Sequence, residues 1–251
     1  MTPDGSTVYV ANQGANTVSV IATASNTVTA TIAVGSVPLG VAASPDGSTV
    51  YVTNFQNNTV SVIATASNMV LAVIPVGSST PPPEGGGPNG VAVSPDGSTV
   101  YVANFIDGTV SVIATATDTV TATIPVGSGP LGVAVTPDGS TVYVTNFQDN
   151  TVSVIATASN TVTATIPLGN NPFGVAVTPD GSTVYVANEA QGTVAGTVSV
   201  IATASNTVTA TIPGFSKPIA FGVFIGPPPV LATPPSGTAC NGCSTAPSRA
   251  R

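Results

Sequence analysis

The sequence predicts an all-β fold, a β-propeller of four-stranded antiparallel blades, with five blades of about 42 residues each over residues 1–226. Three observations predict it. The tripeptide Pro-Asp-Gly recurs at Pro3, Pro45, Pro95, Pro137 and Pro179, at spacings of 42, 50, 42 and 42. Between these turns lie four short β-branched runs with period-2 alternation, the pattern of strands. No segment shows a 3.6-residue period, so essentially no helix is expected.

The unit around Pro137 shows the elements in order. Strand A is Gly132-Val133-Ala134-Val135-Thr136, and Pro137-Asp138-Gly139-Ser140 turns the chain. Strand B is Thr141-Val142-Tyr143-Val144-Thr145-Asn146, and strand C runs from Thr151 to Ala156. A second turn, Thr157-Ala158-Ser159-Asn160, leads into strand D, Thr161 to Ile166, which Pro167 stops. Asp-Gly and Ser-Asn suit tight hairpins because those residues accept positive φ. In strand D, Val162, Ala164 and Ile166 share one face and three threonines the other, so D is expected at the outer edge of its sheet. The one long interval holds a Pro/Gly-rich insertion, residues 79–88.

The phase of the repeat bears on closure. The chain opens after an A strand, so the first unit holds only B, C and D. Residues 222–226, within Phe221-Gly222-Val223-Phe224-Ile225-Gly226, read as an extra A strand with no turn or B strand after it. That strand is expected to complete the first blade and close a five-bladed ring, which removes exposed strand edges. A closed ring predicts a monomer. Residues 227–251, rich in Pro, Ser, Ala and Gly, read as a disordered tail.

Composition narrows the function. Charged residues are 5% of the chain, against roughly 25% in an average soluble protein. Net charge is −7, and Lys217, Arg249 and Arg251 are the only cations. Nucleic-acid binding needs Lys or Arg to displace counterions from phosphates, so no nucleic-acid partner is expected. No apolar run approaches the length of a membrane span, so none is expected. No signal peptide is recognisable. A chain cut from a longer one explains that start best.

Strand B and its last residue read Tyr51-Val52-Thr53-Asn54 and Tyr143-Val144-Thr145-Asn146, and the other copies read Tyr-Val-Ala-Asn at Tyr9, Tyr101 and Tyr185. With Gly-Val-Ala-Val-Ser-Pro-Asp-Gly and Thr-Val-Ser-Val-Ile, this resembles the YVTN family of β-propeller repeats over about nine-tenths of the chain. The resemblance implies a propeller, a secreted or cell-surface (surface-layer) location, and no catalytic activity. Two departures stand out. Propellers of that family are commonly seven-bladed. They also usually carry Asp after the Val-Ile of strand C, where this chain has Ala22, Ala64, Ala114, Ala156 and Ala202.

Candidate site residues follow from comparing the copies with each other. The A–B and C–D turns barely change, whereas the B–C and D–A loops vary and carry both insertions. Those two loop types share one face of the disc, which is expected to be the binding face. Its candidate contacts are Phe55, Phe105, Asp107, Phe147, Asp149, Phe173 and Glu189. Asn12, Asn54, Asn104, Asn146 and Asn188 are expected to bond their own loops, and the Pro-Asp-Gly aspartates to shape turns. Cys240 and Cys243 form a lone Cys-x-x-Cys. Nothing else in the chain could complete a zinc site, so a small disulfide loop or two free thiols is expected.

The chain has no His, and the predicted propeller has no Arg, so no triad, imidazole base or guanidinium clamp is available. The expectation is a non-enzyme with no cofactor and no metal. It would be a surface-structural or binding module meeting a protein or glycan through the variable face. The alternatives are a propeller enzyme of the lactonase or quinoprotein-dehydrogenase kind, and a truncated fragment of a larger YVTN protein.

Overall fold

The structure is a computed structural model that describes residues 1–78, 86–189 and 195–219. Blade 1 holds β1 (Thr7–Asn12), β2 (Thr17–Ala22) and β3 (Thr27–Ala33). Blade 2 holds β4 (Pro38–Ala43), β5 (Thr49–Asn54), β6 (Thr59–Ala64) and β7 (Met69–Pro75). Blade 3 holds β8 (Pro88–Val93), β9 (Thr99–Asn104), β10 (Thr109–Ala114) and β11 (Thr119–Pro125). Blade 4 holds β12 (Pro130–Val135), β13 (Thr141–Asn146), β14 (Thr151–Ala156) and β15 (Thr161–Pro167). Blade 5 holds β16 (Pro172–Val177), β17 (Thr183–Asn188), β18 (Gly196–Ala202) and β19 (Thr207–Phe215).

Each blade is an antiparallel meander in A-B-C-D order, with the first lacking its A strand among the described residues. The architecture is thus the all-β propeller the repeat predicts, with five blades. The closing strand 222–226 and the tail 227–251 lie outside the described residues. The only helical element described is a short 3₁₀ turn, Phe55–Asn57.

Turn chemistry sets the hairpins. At the A–B turn of blade 2, Gly47 takes φ 72° and Asp46 gathers the turn around its carboxylate. Oδ1 accepts from the Ser44 hydroxyl at 2.5 Å and the Ser48 N–H at 3.0 Å, and Oδ2 from the Ser48 hydroxyl at 2.8 Å. These bonds favour the ionised form and hold the Asp46 carboxyl down at about 2. At the C–D turns, Asn26, Asn68, Asp118, Asn160 and Asn206 adopt the left-handed conformation. The C–D pairing then shifts register at the same place in every blade, between Val154 and Ile155 in blade 4. Such a bulge adds twist, which a propeller blade needs.

The cores lie between blades. Strand alternation gives each blade two faces, one toward the blade before and one toward the blade after. At the blade 3–blade 4 junction, Tyr101, Val110, Val112 and Ile124 pack against Val142, Val144 and Ile155. Corresponding residues make the other three junctions. Burying each such side chain contributes about 1.5–3 kcal/mol. No fifth cluster joins blade 5 to blade 1 among the described residues.

The inner strands approach so closely that glycine is required there. A Cβ on Gly90 would lie 2.0 Å from the Leu131 carbonyl oxygen of the next blade, and one on Gly40 would lie 2.3 Å from that of Asn89. Thr53 bridges the same gap, since its hydroxyl accepts from the Gly40 N–H at 2.8 Å and donates to the Asn89 carbonyl at 2.7 Å. Thr145 does the same between Gly132 and Phe173. The alternation of Thr and Ala in the Tyr-Val-Thr/Ala-Asn motif is therefore a difference in inter-blade bonding.

Candidate functional site

Three surfaces could host a ligand: the variable loop face, the central channel and the clefts on the Pro-Asp-Gly face. On the variable face, the predicted acids are occupied with loop structure. Asp107 accepts the Ser78 N–H on one oxygen and the Gly86 N–H, at 2.8 Å, on the other. Asp149 accepts the Ser128 N–H at 2.7 Å. Each pins the D–A loop that precedes its own blade. Asn16, Asn58 and Asn150 pin the loop that follows theirs, through the N–H groups of Val37, Gly87 and Asn171.

The aromatic candidates are half-buried and lean on neighbouring loops. Phe147 meets Phe173 edge-on at 6.1 Å, across the blade 4–blade 5 loop. A side chain at Gly87 would strike Phe55 at 2.9 Å, and one at Gly129 would meet Phe105 at 3.2 Å. Both glycines have positive φ, so the loop backbone lies directly against each ring. Glu189 is half-buried, and its backbone N–H bonds the Asn171 carbonyl at 2.8 Å. The structure therefore spreads these residues over three junctions, with Phe55 and Asp107 at one, Phe105 and Asp149 at the next, and Phe147, Phe173 and Glu189 at the third. Cys240 and Cys243 lie outside the described residues.

The strand-B asparagines depart from expectation. Among the described residues, their side-chain amides do not donate to their own loops. Asn104 Nδ2 reaches across to strand C and donates to Thr109 at 3.0 Å and Ser111 at 2.9 Å, and the other four copies do the same. The cause is geometric. Asn104 pairs directly opposite Thr109, which brings both hydroxyls of strand C within reach of its amide.

The central channel holds a cavity of about 330 Å³. It is lined by the Gly-Val pairs of the inner strands, from Gly40-Val41 to Gly174-Val175, together with Val10 of blade 1. None of its described lining residues is charged, and the Tyr9 phenol is the one titratable group among them.

The Pro-Asp-Gly face is more polar than its repetitive sequence suggests. Adjacent blades enclose clefts there, each flanked by aspartates of two consecutive turns. The cleft between blades 4 and 5 has a volume of about 540 Å³, with Asp138 and Asp180 on its two sides. Thr136, Ser140 and Thr141 add hydroxyls, and Tyr143 and Asn206 stand at the junction. Related clefts of about 390 and 530 Å³ lie at Asp4 and Asp46, and at Asp96 and Asp138. Hydroxyl and backbone donors hold the Asp138 and Asp180 carboxyls below their usual range, the Thr136 and Thr178 hydroxyls first among them. Both are ionised at neutral pH. Burial pushes the Tyr143 phenol up, so it stays protonated, and its O–H donates a hydrogen bond to Asn206 Oδ1 at 3.0 Å. These clefts are built from the parts of the repeat that do not vary, so variation between repeats does not mark them.

A family model described as lactonase, 7-bladed beta-propeller matches residues 79–209. Among solved structures, hydrazine synthase of Kuenenia stuttgartiensis is similar with a TM-score of 0.75 and 29% identity, over 85% of this chain and 64% of that one. A functionally unknown protein from Desulfotomaculum acetoxidans DSM 771 shares the fold, with a TM-score of 0.69 and 24% identity over 86% of this chain and 67% of that one. The chain thus spans less than two-thirds of the hydrazine synthase chain it matches. No curated protein matches this sequence. The lactonase match overturns the expectation of a non-enzyme, which rested on the lack of His and Arg. A missing residue type excludes only the mechanisms that use it, whereas carboxylates, hydroxyls and phenols are present.

Proposed function

We propose a function from one premise: the chain belongs to the lactonase, 7-bladed β-propeller family. We infer that it is a lactonase-like propeller that opens a small neutral cyclic ester in the cleft between blades 4 and 5. The observation that carries this reading is that the cleft, lined from Thr136 to Asn206, falls wholly within the matched stretch 79–209.

The chemistry is acyl transfer to water. Water adds to the ester carbonyl carbon, the ring C–O bond breaks, and the leaving alkoxide takes up the proton the water gives, yielding a hydroxy acid. Asp138 and Asp180 would accept hydrogen bonds from the attacking water and orient it. Carboxylates of depressed pKa are weak proton acceptors, so slow turnover is expected. The hydroxyls of Thr136, Ser140 and Thr141 suit the alcohol groups of a sugar lactone. Two carboxylates disfavour an anionic substrate by like-charge repulsion.

A pH-stat assay on neutral five- and six-membered sugar lactones tests this. Saturable ring opening above the buffer rate is expected, and it falls in Asp180→Asn but not in Asp46→Asn, which alters a different cleft. A rate equal to buffer alone on every lactone overturns the reading. The finer kinship with YVTN repeats, and work outside the cytoplasm, belong to the same reading. The Tyr-Val-Thr/Ala-Asn copies and the acidic, lysine-poor composition support them. Among the described residues, no helix is long and apolar enough to cross a membrane.

A further inference from the structure

We propose that the cleft between blades 2 and 3 binds an organic ammonium ion carried on a short hydrocarbon chain. This cleft is the counterpart, two blades earlier, of the one between blades 4 and 5. Asp46, Tyr51 and Asp96 stand where Asp138, Tyr143 and Asp180 line that later cleft. Two positions differ in character. Leu71 stands in place of Thr163, and Asp118 in place of Asn206. The other described junctions keep Thr29 with Asn68, Thr121 with Asn160, and Thr163 with Asn206. The cleft between blades 2 and 3 thus exchanges a hydroxyl for an apolar side chain and an amide for a third carboxylate.

The apolar change leaves hydrocarbon in water. The hydroxyls of Thr29, Thr121 and Thr163 donate back to the carbonyls of Val20, Val112 and Val154, at 3.3, 3.3 and 3.2 Å. Leu71 has no hydroxyl to give, and it is 66% exposed. Met69 and Val73, on the same outer strand, also stand where the other blades carry threonine, and both are exposed.

The polar change undoes a latch. Tyr9 and Tyr143 donate to Asn68 and Asn206 at the C–D turn of the following blade, at 3.5 and 3.0 Å. Tyr51 is 3% exposed, yet its O–H makes no hydrogen bond among the described residues. Burial, and then the charges of Asp118 and Asp46, push its phenol up, so both carboxylates act on this unpartnered group. A protonated phenol keeps lone pairs that accept from an ammonium N–H.

The ligand class follows from that lining. Three carboxylates attract a positive charge, and Lys217 is the only Lys or Arg among the described residues. Among those residues no group of three acidic side chains is placed to hold a metal ion. An ammonium, with several N–H donors, suits acceptors that stand apart, and its hydrocarbon chain covers Leu71. Further repeats at either end of the array would leave this cleft between the same two blades.

Isothermal titration calorimetry of n-hexylammonium chloride into the whole chain tests this. Saturable binding of one ion per chain is expected. n-Hexanol and hexanoate, which lack the positive charge, bind at least about fivefold more weakly. Asp118→Asn and Leu71→Thr each install the residue found at the other junctions, so far-UV circular dichroism stays that of the parent. Each weakens n-hexylammonium by about fivefold. Thr163→Leu combined with Asn206→Asp builds the same lining between blades 4 and 5 and adds a second site. The capped tripeptide acetyl-Leu-Lys-Leu-amide separates the two sources of such a group. Tighter binding than n-hexylammonium assigns the cleft to a lysine side chain of a protein, and weaker binding to a free amine. No saturable binding, equal binding of n-hexanol, or parent affinity in both Asp118→Asn and Leu71→Thr overturns the proposal.

Discussion

Ile124 and Ile212 hold the same place in their repeats, with nearly the same neighbours in sequence, yet one is 2% exposed and the other 43%. The junction between blades 3 and 4 has a full blade on each side, whereas among the described residues blade 5 has no blade after it and blade 1 lacks both a blade before it and its own A strand. A repeat therefore specifies a face, and the neighbouring repeat decides whether that face becomes core. Stability in such an array is close to a sum of blade terms and junction terms, and junctions are where the apolar area is buried.

The comparison breaks most severely with charge. Val102→Asp places an unpaired carboxylate in a fully buried junction and is expected to cost more than about 4 kcal/mol, seen as loss of the folded signal in urea titration. Val10→Asp, the same change at an exposed position of blade 1, is expected to cost about 0.5 kcal/mol or less. Equal costs would mean that Val10 is covered in solution.

Truncation gives the next largest contrast. Ile124→Ala is expected to lower the urea midpoint by the equivalent of about 2–5 kcal/mol, through lost transfer energy and a cavity. Ile212→Ala should stay within about 0.5 kcal/mol. The latch is a smaller test. Tyr143→Phe removes a hydrogen bond at a partly buried junction and should cost about 0.5–1.5 kcal/mol, while Tyr185→Phe should cost nothing measurable.

The smallest effect should not distinguish the regions at all. The Pro-Asp-Gly turns are local, and the carboxyls of Asp46 and Asp96 fall from 3.8 to about 2 through bonds within their own turns. A carboxyl depressed in the folded state stabilises above its unfolded value, and that contribution disappears as pH falls toward the folded value. Stability should therefore decline between about pH 4 and pH 2. Asp96→Asn in the middle and Asp4→Asn at the end should each flatten that acid limb, read from melting temperature against pH. A flattening confined to Asp96→Asn would show that these turns depend on their neighbours.

Much of the fold was legible in the sequence because its causes are local. Period-2 alternation set the strands, and Pro-Asp-Gly with the Ser-Asn steps set the hairpins. Even the two-faced character of strand D was readable from Val162, Ala164 and Ile166. The candidate site was far less legible. Asp107 and Asp149 varied between repeats and looked like contact residues, but their oxygens hold loop backbone. Asp138 and Asp180 looked like turn formers, and they are, yet they also flank a cleft that forms only when two blades stand side by side. The lack of His and Arg speaks only against mechanisms that use them, and the family match overturns the expectation of a non-enzyme.

By itself, the sequence determined the repeat, its strands, its turns and the two apolar faces of each blade, since all of these follow from residues close together along the chain. Only the tertiary structure decided which faces are covered, why Gly40 and Gly90 tolerate no side chain, and where the polar clefts open. Each of those depends on residues from neighbouring repeats meeting in space, and copies of one repeat read identically whether or not they have a neighbour.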